Sequence, residues 1–231
     1  MSKILLIGDG NVAFHLRRAL VASGHQLIDK GDDFDMAIFS ITDNAYKKVI
    51  DAFPIRNKIM IHTSGSITSN IFSDKTKYFG VLYPLQTIKK SDKNLSFKNI
   101  PLFVTASDKN TQKIIIQIAK SLSNTVKNIS DEQRLKLHLS AVFLNNFTNH
   151  MVTIAHKLAK ENDIDISLLQ PLQSKTFLQM INNNFIEKLQ TGPAVRGDVN
   201  VMEKHMKLLD RYPYWQKIYT FVSKSIATKD K

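Results

Sequence analysis

Lys3-Ile4-Leu5-Leu6-Ile7-Gly8-Asp9-Gly10-Asn11-Val12-Ala13 opens the chain after two residues. Lys3 to Ile7 form a continuous apolar run ended by glycine, as expected of a strand buried on both faces. The next six residues have the form G-x-G-x-x-A, and each small residue answers a separate need. Gly8 permits a sharp turn from strand to helix. Gly10 lets backbone approach a pyrophosphate. Ala13 keeps the following helix close to the sheet. The helix N-terminus then offers free N–H groups and partial positive charge to phosphates. The glycine pattern alone is weak, and a purely structural turn is the competing reading. Its context is stronger: Val12, Leu16, Ala19 and Leu20 recur at helical spacing over residues 11–23, and Gly24 stops the helix.

Working outward, further strands are predicted at residues 26–28, 36–40, 58–62, 79–82, 102–105 and 125–129, with helices at 43–53 and 109–122. Strands alternating with helices imply an α/β fold with a parallel, doubly wound, Rossmann-like sheet. The texture changes at Ser130, which with Gln133 forms a helix-capping signal. A long helix is predicted from there to about Glu161, followed by helices at 167–182, 198–209 and 213–225. Leu135, Leu139 and Val142 are assigned to the core. Two domains follow: a Rossmann-like dinucleotide-binding domain at 1–128 and an all-α substrate and dimerisation domain at 129–231.

An acidic residue about 20 positions beyond the first glycine would bind the ribose diol of NAD. Asp29 stands there, at the end of the second predicted strand. Lys30 follows it and would instead favour the 2′-phosphate of NADP, so the two residues conflict. Only residues 31–35 separate this point from the third strand, where a standard unit fits a helix and often another strand. The wall of an adenine pocket is therefore shortened.

The 231 residues are 43% hydrophobic, ordinary for a folded protein, and include no cysteine. Disulfides and thiolate chemistry are excluded, and no metal site is read. No apolar run is long enough to span a membrane, and the short N-terminal run is no signal peptide. A cytoplasmic protein without a membrane partner is expected. The net charge of +12 invites a nucleic-acid reading, but the lysines are scattered and no nucleic-acid motif accompanies them. A solvated basic surface, or attraction of an anionic ligand, accounts for the charge.

Three polar loops follow predicted strand ends: Ile41-Thr42-Asp43, His62-Thr63-Ser64-Gly65-Ser66 and Tyr83-Pro84-Leu85-Gln86-Thr87. Carboxyl ends of parallel strands form the ligand crevice in open sheets. Ser64 and Gly65 offer a hydroxyl and approachable backbone. His62 either serves a substrate as orienter or acid–base group, or is satisfied inside its turn. In the second half, His138, Asn145 and Asn149 are spaced seven and four apart on one predicted helix and share a face. They read either as a polar stripe facing the crevice or as helix–helix hydrogen bonding. In Thr191-Gly192-Pro193-Ala194-Val195-Arg196-Gly197-Asp198, Arg196 is placed to clamp a carboxylate or phosphate, and Asp198 to cap the next helix.

These segments together resemble a family that joins a Rossmann-like domain to a helical C-terminal domain of unknown function. The matching stretches are residues 8–16, 62–66, 83–87, 137–150 and 191–198. The family's members carry the label of NADP oxidoreductases, and it is similar to 3-hydroxyacid dehydrogenases, ketopantoate reductase and pyrroline-5-carboxylate reductase. The resemblance implies a C-terminal domain of the 6-phosphogluconate dehydrogenase C-terminal-like type and a homodimer formed through it. It also implies hydride transfer between a nicotinamide cofactor, NADP with NAD as the alternative, and a small carbonyl, imine or hydroxy acid. In the hydroxyacid and ketopantoate relatives, a lysine and an asparagine one turn apart serve the substrate. Asn145 matches the asparagine, but Ala141 stands at the lysine position, and His138 is the substitute proton donor. On this reading Gly8, Gly10, Asn11, Val12, Ala13, Asp29, Lys30 and Thr42 hold the cofactor. His62, Ser64, Gly65, Asn149 and Arg196 hold the substrate. The alternative is a non-catalytic nucleotide-binding or sensor protein.

Overall fold

A computed structural model of the protein describes residues 1–29, 31, 33–54, 57–182 and 186–228. Contacts divide the chain into two compact units, Met1–Thr148 and Asn149–Lys231.

The first unit is built on a seven-stranded sheet of order β2-β1-β3-β4-β5-β6-β7. Its strands are β1 (Lys3–Ile7), β2 (Gln26–Ile28), β3 (Met36–Phe39), β4 (Ile59–His62), β5 (Phe79–Pro84), β6 (Leu102–Ala106) and β7 (Val126–Asn128). Helices α1 (Asn11–Ala22), α2 (Tyr46–Ala52) and α3 (Lys109–Leu122) connect them. The apolar runs of β1 and β3 are buried on both faces, as their lack of alternation predicts. One core cluster packs Leu16 and Leu20 of α1 and Ile115, Ile118 and Leu122 of α3 against one face of the sheet. A second packs Tyr46 and Ile50 of α2 with Phe39 and Phe72.

The sheet departs from the expected all-parallel form at one place. β5 and β6 pair antiparallel, whereas the other neighbours are parallel. Between Pro84 and Leu102 the chain forms only a single 3-10 turn, Phe97–Asn99, and no crossover helix. A link without an α-helix suits an antiparallel return but does not dictate one: residues 63–78 join β4 to β5 through a 3-10 turn alone, and those strands pair parallel. The short interval after β2 has a consequence too. Among the described residues no strand lies outside β2, so β2 is the sheet edge.

Past β7 comes α4 (Asp131–Ala141), capped by the reciprocal Ser130–Gln133 pair that the sequence predicts. The sheet thus ends at Asn128, by the expected boundary at 128/129, but the first compact unit includes α4. Arg134 explains why. Its side chain is 1% exposed. Its Nη1 donates to Asp131 Oδ1 at 2.6 Å and to Thr105 Oγ1 at 3.1 Å, and Nη2 donates to the Ile67 carbonyl. Asp131 Oδ2 in turn accepts from Ser69 N–H at 2.9 Å and Ser69 Oγ at 2.8 Å. Burial alone would raise the Asp131 pKa, but the bonds from Ser69 and Arg134 outweigh it and hold the carboxyl below its usual range.

The predicted helix from 130 to 161 is interrupted. Residues Val142–Phe147 form a π-helix between α4 and α5 (Thr148–Glu161). The Thr148 hydroxyl donates to the Phe143 carbonyl five residues back, at 3.2 Å. Leu135 and Leu139, assigned to the core from sequence, are instead 51% and 56% exposed, and Val142 is only partly buried. The inward face of α4 is taken by Arg134, which leaves these leucines on the outer side.

The second unit holds most of α5, then α6 (Gln170–Asn182), the single-turn α7 (Pro193–Arg196), α8 (Val199–Leu208) and α9 (Pro213–Thr228). Within residues 191–198, Pro193 at the first helical position starts a turn of helix, ended by Gly197 in the left-handed region. His205 Nδ1 meets Tyr219 Oη at 2.9 Å between α8 and α9. Among the described residues no helix is long and apolar enough to cross a membrane.

Asp131→Ala should strand a buried cation and lower the unfolding free energy by about 3–5 kcal/mol in urea titration. The double variant Asp131→Ala/Arg134→Met should recover much of the loss, because no unpaired charge then remains inside. Equal instability of single and double variants would contradict this account of the cluster.

Candidate functional site

The sheet register brings the glycine turn to its partners. Ile7 pairs with Phe39, and Phe39 with His62, at the carboxyl ends of β1, β3 and β4. The next residues, Gly8, Ser40 and Thr63, are therefore neighbours. Gly8 has φ +118°, and a Cβ there would lie 2.1 Å from the Ser40 carbonyl oxygen. Only glycine satisfies both the angle and the space. Gly10 is different: a Cβ there would meet nothing within 4 Å. It borders open space at the start of α1, whose N-terminus has no side-chain cap. The first-turn N–H groups are left for an external acceptor. Strand order reverses between β1 and β3, so this is also the switch point where open sheets bind ligands.

A cleft of about 580 Å³ lies here, lined by Gly8, Gly10, Asn11, Val12, Thr42 and Ser64 among others. Ala13 is buried and holds α1 on the sheet, the role predicted for it. Asn11 Oδ1 accepts from Lys90 N–H at 3.1 Å. Asp29 does not line this cleft. Its side chain is exposed beyond β2, with a carboxylate oxygen 3.7 Å from Arg17. Lys30 lies outside the described residues.

His62 is fully buried and does not line this cleft. Its ring packs between Tyr46 and Phe72, with centroids at 5.4 Å and 5.9 Å. Nδ1 accepts from Ser64 N–H at 3.2 Å, so Nε2 carries the proton and faces the Thr68 carbonyl at 3.3 Å. Burial first, and the Arg134 charge second, push its pKa down to about 4. The expectation of direct substrate contact is corrected: His62 is the neutral brace of the loop that follows it. Ser64 Oγ accepts from Ser66 N–H and Ile67 N–H, both at 3.1 Å, completing a tight turn. Ser66 donates to Asp43, which lines the cleft.

Gly65 is also buried, and what covers it is His138. A Cβ at Gly65 would come within 2.7 Å of His138 Nδ1. Its backbone is therefore a floor for the histidine, not a substrate contact. His138 lines a second cleft of about 480 Å³ with Tyr83, Gln86, Ser140, Asn145 and Asn146. Gln86 lines both clefts. His138 and Asn145 are thus brought together as predicted, although not by regular helical spacing. The π-helix inserts roughly one residue, a rotation of about 100°. That shift accounts for Asn146 joining Asn145 at the cleft. Asn149 and Arg196 belong to the second unit. Asn149 is exposed, and Arg196 lies 3.7 Å from Asp198, which caps α8.

Sequence reasoning did not select Tyr83, Gln86, Asn146 or Arg134. Tyr83 and Gln86 were in a noted strand-end loop, and Asn146 adjoined a chosen residue. Nothing in the sequence distinguishes Arg134 from a surface arginine. The second unit has a cleft of about 290 Å³ around Leu209, Trp215 and Ile218, but its lining is mostly apolar and gathers no such polar groups.

His62 is neutral when folded and gains a proton on unfolding below its ordinary pKa of 6.5. Its contribution is complete above that pH and is lost as pH falls toward 4, to a total of about 3 kcal/mol. Unfolding titrations of wild type and His62→Asn should differ in slope over this window; parallel curves would remove His62 from the acid response.

The family model described as a domain of unknown function, DUF2520, matches residues 100–226, more than half of the chain. Among solved structures the chain is similar to a candidate NADP oxidoreductase from Bacteroides fragilis, with 32% identity, TM-score 0.87 and 98% of each chain covered. It is similar in fold to a protein from Thermotoga maritima, at 18% identity and TM-score 0.71 over 97% of this chain and 99% of that one. A reductive aminase from Aspergillus terreus, solved with NADPH and ethyl-5-oxohexanoate, shares the fold at 11% identity and TM-score 0.71, over 98% of this chain and 92% of that one. No curated protein matches. With its Rossmann-like sheet, helical C-terminal part and family match, the chain belongs to the DUF2520 family.

Proposed function

We propose that the protein is an NADP-dependent oxidoreductase acting on a small carbonyl, imine or hydroxy acid. The observation that carries this reading is the shared wall. Gln86 lines both the cleft at the glycine turn and the cleft at His138, so a dinucleotide seated on the first would extend toward the second. The open space at Gly10 and the uncapped start of α1 fit a diphosphate. The Bacteroides relative, described as a candidate NADP oxidoreductase, supports the choice of cofactor. When bound, the nicotinamide supplies or accepts a hydride.

The chain's own residues would do the rest. Backbone N–H groups of Gly10 to Ala13 hold the diphosphate, and Thr42 and Ser64 border the path to the second cleft. His138 exchanges the proton that accompanies hydride transfer, and the Asn145 amide binds the substrate oxygen or nitrogen. Asn149 and Arg196 remain proposed substrate contacts, and Asp29 and Lys30 proposed ribose or 2′-phosphate contacts. The domain division proposed for this chemistry is 1–128 for cofactor and 129–231 for substrate.

Gly10→Asp puts a carboxylate where the diphosphate binds without a steric clash in the fold. It should abolish NADPH binding by calorimetric titration. His138→Ala should retain binding and lower NADPH oxidation with a panel of small ketones, oxo acids and imines by roughly 100-fold or more. Unchanged binding in the first variant would reject the site, and unchanged turnover in the second would remove His138 from the chemistry. Ala141, at the place of the relatives' lysine, favours the second reading of a nucleotide sensor; saturable NADPH binding with no oxidation across the panel would support it.

A homodimer is proposed as well, because Leu135, Leu139, Phe143, Leu144 and Phe147 are all exposed on α4 and the π-helix. Leu139→Glu should convert a dimer to a monomer in light scattering after size exclusion. A monomeric wild type would dismiss the dimer.

A further inference from the structure

Three elements converge on the His138 ring. From β5, the Tyr83 hydroxyl lies 3.1 Å from His138 Nδ1, and the two rings meet edge to face at 6.0 Å. From the loop after β4, Gly65 lies under the ring. An added Cβ would sit 2.7 Å from Nδ1, 2.8 Å from Cγ and 3.0 Å from Tyr83 Cε2. Its φ is not in the left-handed region, so glycine is needed here for room and not for backbone angle. From α4, Arg134 anchors the helix one turn before His138. Among the described residues Nε2 has no hydrogen-bond partner, and the ring lines the 480 Å³ cleft.

A phenol oxygen can donate or accept, and the two cases have different chemical consequences. If Tyr83 donates to Nδ1, the neutral ring carries its proton on Nε2. Giving that proton away would leave an imidazolate, which neutral water does not support. If Tyr83 accepts from Nδ1–H, Nε2 is free to take a proton from solvent. The resulting imidazolium then passes that proton to the substrate heteroatom as hydride reaches the adjacent carbon, and the ring returns to neutral. The partner of one ring nitrogen decides which nitrogen titrates. Burial raises the Tyr83 pKa, so the phenol keeps its hydrogen; where Nδ1–H donates to the phenol oxygen, that hydrogen points away from the ring.

We propose that Tyr83 is the positioning residue of His138: seated over Gly65, it accepts from Nδ1–H and commits Nε2 to proton exchange in the cleft. The proposal rests on the reading of His138 as the proton donor, but its test does not need turnover. In nitrogen-correlated NMR spectra of the full chain labelled with 15N-histidine, His138 is assigned as the signal missing from His138→Gln. The neutral wild-type ring should show the Nδ1–H tautomer, the reverse of the preference of free histidine. Tyr83→Phe should lose that signature in favour of Nε2–H. Gly65→Ala, which pushes the ring off Tyr83, should do the same. A wild-type ring in the Nε2–H form, or a tautomer unmoved by Tyr83→Phe, overturns the proposal. The wild-type spectrum decides alone if a variant does not fold. The Nδ1–H form in a protein that never oxidises NADPH would uphold the positioning role while rejecting the oxidoreductase reading.

Discussion

A guanidinium with almost no access to water holds the candidate site in place. Arg134 reaches from α4 to the Ile67 carbonyl and Thr105, and its countercharge Asp131 reaches Ser69. One ion pair thus ties a helix, a strand and the loop after β4. Among the described residues Arg134 Nε has no hydrogen-bond partner, so the buried charge depends on the bonds of Nη1 and Nη2, and the geometry around those is narrowly fixed. His138 follows Arg134 by one helical turn, and Gly65 precedes Ile67 by two residues. The closeness of His138 to Gly65 is therefore set by the ion pair next to it. The same charge helps keep His62 neutral, so the brace beneath Ser64 and the clamp on α4 belong to one electrostatic unit.

Around that unit the site is shaped by where side chains are missing. Gly8 removes a Cβ that would strike Ser40, and Gly65 removes one that would strike His138. The first lets β1 turn into α1 beside β3; the second lets α4 settle on the loop after β4. Gly10 has open space in place of a neighbour. Three glycines thus serve three purposes: strand packing, ring seating and ligand access.

Much of this was legible in the sequence where the signal is local. The apolar runs at 4–7 and 36–39, the glycine turn, and the Ser130–Gln133 cap each depend on adjacent residues, and they form as read. The antiparallel β6 was not legible, because nothing in residues 85–101 states in which direction the next strand runs. The π-helix was hidden for a similar reason: regular periodicity carries straight through Val142 to Phe147. His62 and Gly65 were chosen for the right loop but assigned the wrong contact, since burial by Phe72 and His138 is a tertiary fact. Leu135 and Leu139 misled in the opposite way. Their spacing marks an apolar face, and spacing does not say whether that face turns toward the sheet.

The sheet's two borders, β2 and β7, are each three residues long. So short a border exposes few free amides and carbonyls for another strand to pair with. Lengthening of the sheet across molecules, the usual route to fibrous association, has little to grip. Recognition between copies is left to side-chain surfaces, where shape and sequence decide what fits.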